Sequence, residues 1–359
     1  MNRINILIFA CTISMSVQAA KIRVNNRAGL SAAHTTFASA VTAATTGDTL
    51  FIEGSPISYG TVTLSKNLTV VGPGYFLTKN DSTQAIIYPA TFDAMTVSST
   101  GAGSIISGLT FVGAPAALLT ISANNVTVSR NYFQQTTGTA SSTAIRISAS
   151  FNNTAIIQNF IEVTTTTTAQ PMAIEFLTGP QSNVIISNNL IMAGSPPSTT
   201  TTHSTATTKR AIVMPTNANA VISNNTIIGD MVLYNSTVVD NILIRGNLTT
   251  SASFPIISQF NMGGLTQWGT ASSNQINVNM TTMFAQTGLV TEDRYWLLSA
   301  GSTANGTSST GSNRGATGGT MPYKLSGMPS FPAVWSATVP PTGSASSNLN
   351  VNVKAKAHR

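Results

Sequence analysis

Residues Asn125–Phe133 read NVTVSRNYF, a short apolar run with an Asn at either end. The outline returns at Asn153–Ile161 (NTAIIQNFI), Asn183–Ile191 (NVIISNNLI), Asn219–Ile227 (NAVISNNTI) and Asn235–Leu243 (NSTVVDNIL). Aligned on the first Asn, the residue three on is Val128, Ile156, Ile186, Ile222 or Val238. The residue six on is Asn131, Asn159, Asn189, Asn225 or Asn241, and the residue eight on is Phe133, Ile161, Ile191, Ile227 or Leu243. Copies separated by 28, 30, 36 and 16 residues mark a stack of coils rather than a layered globule.

The coil is β. Val, Ile and Thr fill the runs and alternate with polar residues. A second strand precedes most copies, at Leu118 (LLTI), Ala144 (AIRI), Ala173 (AIEF) and Ala211 (AIVM). One coil is therefore strand, short turn, strand, Asn corner, strand and variable loop, with successive coils pairing as parallel sheets. Asn suits the corner because it tolerates left-handed backbone and hydrogen-bonds nearby peptide groups. In register, each amide can also bond the amide of the next coil. Ten residues are expected in these two structural columns: Asn125, Asn153, Asn183, Asn219 and Asn235 in one, Asn131, Asn159, Asn189, Asn225 and Asn241 in the other. The insertions after the last strand (Gln134–Thr143, Glu162–Met172, Met192–Arg210) leave from one corner and should gather along one edge. The runs Thr164–Thr168 and Thr199–Thr202 read as loop tips. The 16-residue step looks like a degenerating repeat, and about seven coils are expected between Asp48 and Asn261.

The ends read differently. Arg3 is followed by an apolar run, Ile4–Val17, and by Val17-Gln18-Ala19, the pattern of a secretory signal peptide over Met1–Ala19. That run is short for a membrane span, and no later segment is long and apolar enough to be one. Cys11 is the sole cysteine, so a processed chain would have neither disulfide nor thiolate chemistry. Residues 20–47 read as an N-terminal cap, with a short helix after Ser31 that buries Phe37 and Val41 and carries a Ser cap in front. Residues 48–261 are the coils, 262–332 an irregular C-terminal cap region, and 333–359 a β hairpin with a basic tail. Within the hairpin, Ala333–Pro341 is expected to pair with the strand in NLNVNVKAKAHR across Thr342–Ser347.

Only 8% of residues are charged, which argues against the Lys- and Glu-rich surface of an ordinary helical protein. The formal charge of +7 is diffuse apart from Lys209-Arg210 and the tail. A nucleic-acid footprint would need a basic stripe, so no nucleic-acid partner is expected. A monomer is expected.

Gly47–Tyr75 (GDTLFIEGSPISYGTVTLSKNLTVVGPGY), after a capping helix and before Asn-cornered coils, resembles the opening of proteins of the pectin-lyase-like superfamily. The resemblance spans roughly Ala32–Asn261. Asp293–Gly311 and Gly315–Pro332 also resemble a tail of bacterial secreted β-helix proteins. The fold expected is all-β: a right-handed parallel β-helix solenoid with a short N-terminal capping helix and a small C-terminal β element. The superfamily holds lyases, hydrolases, esterases, epimerases and adhesins, so fold alone does not choose among them.

Enzymes of that superfamily leave marks that this chain lacks. There is no Asp-Asp and no Gly-His-Gly of the galacturonan hydrolases, although inverting hydrolysis needs two carboxyls a water apart. The single adjacent acidic pair, Glu292-Asp293, lies outside the coils. No acidic cluster suits calcium, and His34, His203 and His358 have no evident partners. No catalytic residue, metal ligand or cofactor is therefore assigned.

Arg146 and Glu175 do occupy one register on neighbouring coils and should point outward and meet. That is what a plain surface ion pair worth ~0–1 kcal/mol would do, and also what a sugar-binding pair would do. Arg130, Gln158, Asn188, Asn224 and Asp240, each just before the second Asn, form a polar outer row suited to sugar hydroxyls or water. Candidate glycan contacts are Arg130, Arg146, Glu175 and Arg210, with Tyr132, Trp268 and Trp296 as aromatics that could stack on sugar rings or simply fill a core. The expectation is an exported protein, secreted or at the cell surface, that binds polysaccharide or a cell-surface glycan without chemistry. A polysaccharide lyase or glycoside hydrolase is the alternative, and a structural or adhesive protein the third.

Overall fold

The computed structural model describes residues 19–136, 142–163, 171–194, 209–340 and 350–357. Most of the proposed signal segment, with Cys11, lies outside them, as do both Thr runs, His203, His358 and the turn Thr342–Ser347.

Three parallel sheets of ten, eight and eight strands form a parallel β-helix. Each strand between the two Asn columns joins the ten-stranded sheet, where Val128, Ile156, Ile186, Ile222 and Val238 pair in one register. All five are fully buried. The strand after the second Asn belongs to an eight-stranded sheet, here the corner sheet, in which Phe133, Ile161, Ile191, Ile227 and Leu243 align. The strand before the first Asn belongs to the other eight-stranded sheet, the insertion-side sheet.

Inside, Phe111 stacks on Phe133 with centroids 4.7 Å apart, and Phe92 lies on Phe111. Phe37 of the capping helix Phe37–Ala43 meets Phe92 edge-on, so the helix closes the column of rings at one end. The cap residue is Thr36, whose hydroxyl accepts the Ser39 amide, and not Ser31. The segment before it is an irregular run of turns and bends, pinned where Val24 bridges His34 and the Asn25 amide donates to the His34 carbonyl.

The ten-stranded sheet holds more coils than the sequence suggested. It begins with Lys21–Val24, ahead of the helix, and runs to Ile257–Gln259. The 16-residue step is a complete coil, with strands Asp230–Val232, Thr237–Val239 and Ile242–Arg245 and almost no loop. It is the minimal repeat rather than a decaying one. Near the C-terminus, Pro332–Thr338 pairs antiparallel with Asn352–Ala357.

The second Asn column is a continuous buried ladder. The side-chain oxygen of Asn159 accepts the backbone amide and the side-chain amide of Asn131 at 2.9 and 3.1 Å. The same pattern repeats from Asn159 to Asn189, Asn225, Asn241 and Asn261. Each amide also donates to a carbonyl of the preceding coil, as Asn189 does to Ile156. The first column is solvent-exposed and its side-chain amides donate the other way, from Asn153 to Asn125 and from Asn183 to Asn153.

The columns also differ in backbone. Asn125, Asn153, Asn183 and Asn235 have positive φ, as expected of a corner Asn. At the second corner the left-handed residue is the one before the Asn: Arg130, Gln158, Asn188, Asn224 and Asp240. The buried Asn is thereby left in an ordinary conformation, with its side chain free to face the next coil.

Candidate functional site

The outward side of the corner sheet is closed. Tyr132, Phe160, Leu190, Ile242 and Met262 point away from the coil interior, yet all are buried. They form a second core with Met280, Met283, Phe284, Trp296, Ala316 and Tyr323. Residues 263–328 fold back over this sheet and along its corner toward the first coils. Tyr132, Trp268 and Trp296 are therefore packing residues, 7%, 6% and 2% exposed, and cannot stack on a sugar.

The polar row before the second Asn holds this returning segment. Asp240 accepts the Ser309 amide at 2.7 Å. Asn188 donates to the Ala316 and Gly318 carbonyls, and Gln158 to those of Met321 and Pro322. Arg130 donates to the Met328 carbonyl and to Gln158. Beyond it, the Tyr75 amide donates to the Ser326 carbonyl. The row expected to meet sugar hydroxyls is thus occupied by the chain itself, and Arg130 faces protein rather than ligand.

Burial has chemical consequences under this cover. Asp293 is fully buried, accepting from Asn80, Tyr323 and the Ser326 amide. Tyr323 in turn shares a hydrogen bond with Tyr75. Removal from water pushes the Asp293 carboxyl up, against the pull of its hydrogen bonds. Glu162, on the outer face of the corner sheet, receives the Tyr132 hydroxyl at 2.6 Å and the Gln134 amide. Burial again pushes its carboxyl above the ordinary range. Both groups tie the returning segment or its floor together.

The insertion-side sheet is different. Arg146 and Glu175 pair in register, with Nε and Oε2 2.7 Å apart and side chains 19% and 15% exposed. Thr143 donates to the same carboxylate oxygen at 2.8 Å. Toward the N-terminal coils the row continues through Thr120, Thr96 and Thr63, one residue per coil. Toward the C-terminal coils it turns apolar at Val213 and Val232. Arg210 stands in the row of Thr143 and Met172, three residues along the strand and so about 10 Å from the level of Glu175.

The roots of the three insertions flank this face. Gln135, Val163 and Ala193 lie in one register where the loops leave, and Thr143, Met172 and Arg210 in another where they return. A groove of about 570 Å³ lies elsewhere, between the first coils and Pro329–Pro332, with Phe51, Ile86 and Phe331 among its walls. His34 bonds Ser39 on the cap. Among the described residues, no three His, Cys, Asp or Glu side chains could hold a metal together, and no helix is long and apolar enough to cross a membrane.

Beyond Lys21 and Arg23 of its first strand, the outer face of the ten-stranded sheet is long and uncharged. One register runs Thr49, Thr69, Ile105, Thr127, Ala155, Ile185, Val221, Thr237 and Ile257. Ile105, Ile185, Val221 and Ile257 are exposed.

No family model matches this chain, and no curated protein matches it.

Proposed function

We propose that the chain is an exported solenoid that binds polysaccharide on the outward face of its insertion-side sheet, without bond-breaking chemistry of its own. The observation that carries this reading is the row Thr63, Thr96, Thr120, Arg146 and Glu175, in register over five coils and bordered by the roots of three insertions. Successive side chains stand about 4.8 Å apart, the parallel-strand spacing. An extended polymer rich in hydroxyls can meet such a row at several points. The resemblance to pectin-lyase-like solenoids supports the same ligand class.

The non-catalytic part of the reading rests on Glu175, whose hydrogen-bond partners are an arginine and a threonine. A glycoside hydrolase uses two carboxyls flanking the scissile bond. A second reading, adhesion to a flat neutral surface, is favoured by the outer face of the ten-stranded sheet, which is uncharged from its second strand onward.

The test uses the chain from Ala20 with a panel of acidic and neutral insoluble polysaccharides, measuring retention and soluble products by mass spectrometry. The expected result is retention on at least one polymer and no new oligosaccharides. Arg146→Ala and Glu175→Gln should each weaken retention at least tenfold with the fold intact by circular dichroism. New oligosaccharides would make it an enzyme, and absence of retention would move adhesion to the front.

A further inference from the structure

The first strand, Lys21–Val24, starts one residue after Ala20 and pairs with Thr49–Ile52. The Ala20 carbonyl accepts the Thr49 amide at 2.9 Å. The Ala20 nitrogen lies 2.6 Å from Oδ1 of Asp48. Asp48 is 3% exposed. Its other oxygen, Oδ2, takes the Thr45 amide at 2.8 Å and the Thr45 hydroxyl at 3.0 Å. The carboxylate is thus held by three donors, all neutral in an unbroken chain. The Lys66 ammonium donates to the Thr42 and Ala44 carbonyls at the end of the capping helix instead.

A turn that needed only a local cap would be served by Oδ2 alone. Oδ1 is aimed at one atom, the nitrogen of residue 20. That residue also follows the small-residue pattern Val17-Gln18-Ala19 at the end of an apolar run, where a signal peptidase would cut. Ala19 and Ala20 are both exposed. Two unrelated observations, a sequence pattern before the bond and a buried acid after it, therefore meet at the same peptide link.

We infer that the Ala19–Ala20 bond is a processing site, and that its cleavage places a free α-ammonium group on Asp48. A peptidase adds water across the amide. The C–N bond breaks, the hydroxyl goes to the Ala19 carbonyl carbon to form a carboxylate, and the Ala20 nitrogen takes up protons to become an ammonium. A neutral contact becomes a charge-assisted one. The carboxylate, already in the field of Lys66, gains a countercharge in direct contact. Amide donation from Thr45 and Ala20 already holds the Asp48 carboxyl below its ordinary range, so the anion is in place before the ammonium arrives. The edge of the ten-stranded sheet is then locked by the maturation step itself.

The test begins with the intact mass of the exported protein, expected to start at Ala20. Chains starting at Ala20, with the amine free or acetylated, are then compared by melting temperature and by acylation of the free amine at pH 7. Acetylation keeps an N–H but removes the charge. The free-amine chain should melt several degrees higher, and its amine should react at least tenfold more slowly folded than unfolded. Asp48→Asn should remove that protection. Where Asp48→Asn fails to fold, the acetylated chain still decides. A mature chain starting elsewhere, equal melting of the two forms, or an unprotected amine would overturn the inference.

Discussion

Replacing Asn189 by Ala tests what holds the coils together. Asn189 is fully buried. Its oxygen accepts the Asn159 backbone amide at 2.9 Å and the Asn159 side-chain amide at 3.0 Å. Its nitrogen donates to the Ile156 carbonyl at 2.8 Å and to the Asn225 oxygen at 2.9 Å. In Asn189→Ala the Asn225 oxygen keeps the residue 189 backbone amide. One backbone N–H and one amide hydrogen lose their acceptor in a place water does not reach, and the Ile156 carbonyl loses one of its donors. Each orphaned group costs ~1–3 kcal/mol. With some relaxation the expected loss is ~3–5 kcal/mol, large against the 5–15 kcal/mol typical of native proteins. The control is Asn219→Ala, an Asn of the outer column whose oxygen accepts the Asn183 amide at 3.3 Å in an exposed setting. Water replaces that bond, so the expected loss is under ~0.5 kcal/mol. Urea unfolding followed by far-UV circular dichroism reads both, provided the slope m is unchanged. Losses within 1 kcal/mol of each other would refute the claim that the ladder stabilises through buried satisfaction rather than through Asn as such.

Two further predictions concern the returning segment and the sheet beneath it. Gly327 has φ +52°, and a Cβ there would overlap the Arg130 carbonyl and the Tyr75 ring. Gly327→Ala should therefore cost at least ~2 kcal/mol, whereas Gly301→Ala, with nothing within 4 Å, should be near neutral in the same urea titration. Glu162 has a carboxyl raised by burial in the folded chain. The native state then binds the proton more tightly than the unfolded one, so its stabilising contribution is complete below the unfolded carboxyl pKa and is lost as pH rises through the folded value. Glu162→Gln should unfold at the wild-type urea midpoint near pH 4 and at an increasingly higher midpoint than wild type toward pH 8. A difference independent of pH would refute this.

The repeat was legible because a corner that needs one residue type prints it at a fixed spacing. Where the corner is built otherwise, the coil was hard to see. Gly108 takes the left-handed position before Leu109, and Gly72-Pro73 stands where another coil would show its Asn. The first strand was hidden altogether, lying ahead of a helix that looked like the beginning of the domain. The meeting of Arg146 and Glu175 was legible for the same reason as the ladder, because a parallel register carries one position of a coil onto the same position of the next. The returning segment was not legible, since residues 263–331 have no period. A weaker sign was present all the same. The corner-sheet strands read YFQQ, FIEV, LIMA, TII and ILIR, and all five carry apolar residues at consecutive positions rather than strictly alternating. That is how a parallel sheet buried on both faces reads, and it implied a cover for the face that holds Tyr132.

The left-handed row shows why that cover lies where it does. A non-glycine residue in this conformation costs roughly 1–2 kcal/mol, so Gly would be the cheaper choice at each second corner. Glycine stands there at Gly108, where any Cβ would crowd the Gly72 backbone. In the next five coils the position is filled by Arg130, Gln158, Asn188, Asn224 and Asp240, and at least four of these bond the returning segment. Each such hydrogen bond contributes ~0.5–1.5 kcal/mol, more where one partner is charged, which offsets the backbone cost. The strained corner therefore does two jobs: it frees the following Asn to build the ladder, and it presents a side chain outward to seat residues 309–328. Once that seat is taken, one of the three solenoid faces is closed to any ligand. The faces left open are the insertion-side sheet and the ten-stranded sheet, and of these two the insertion-side sheet sets an arginine and a glutamate in one row with its threonines.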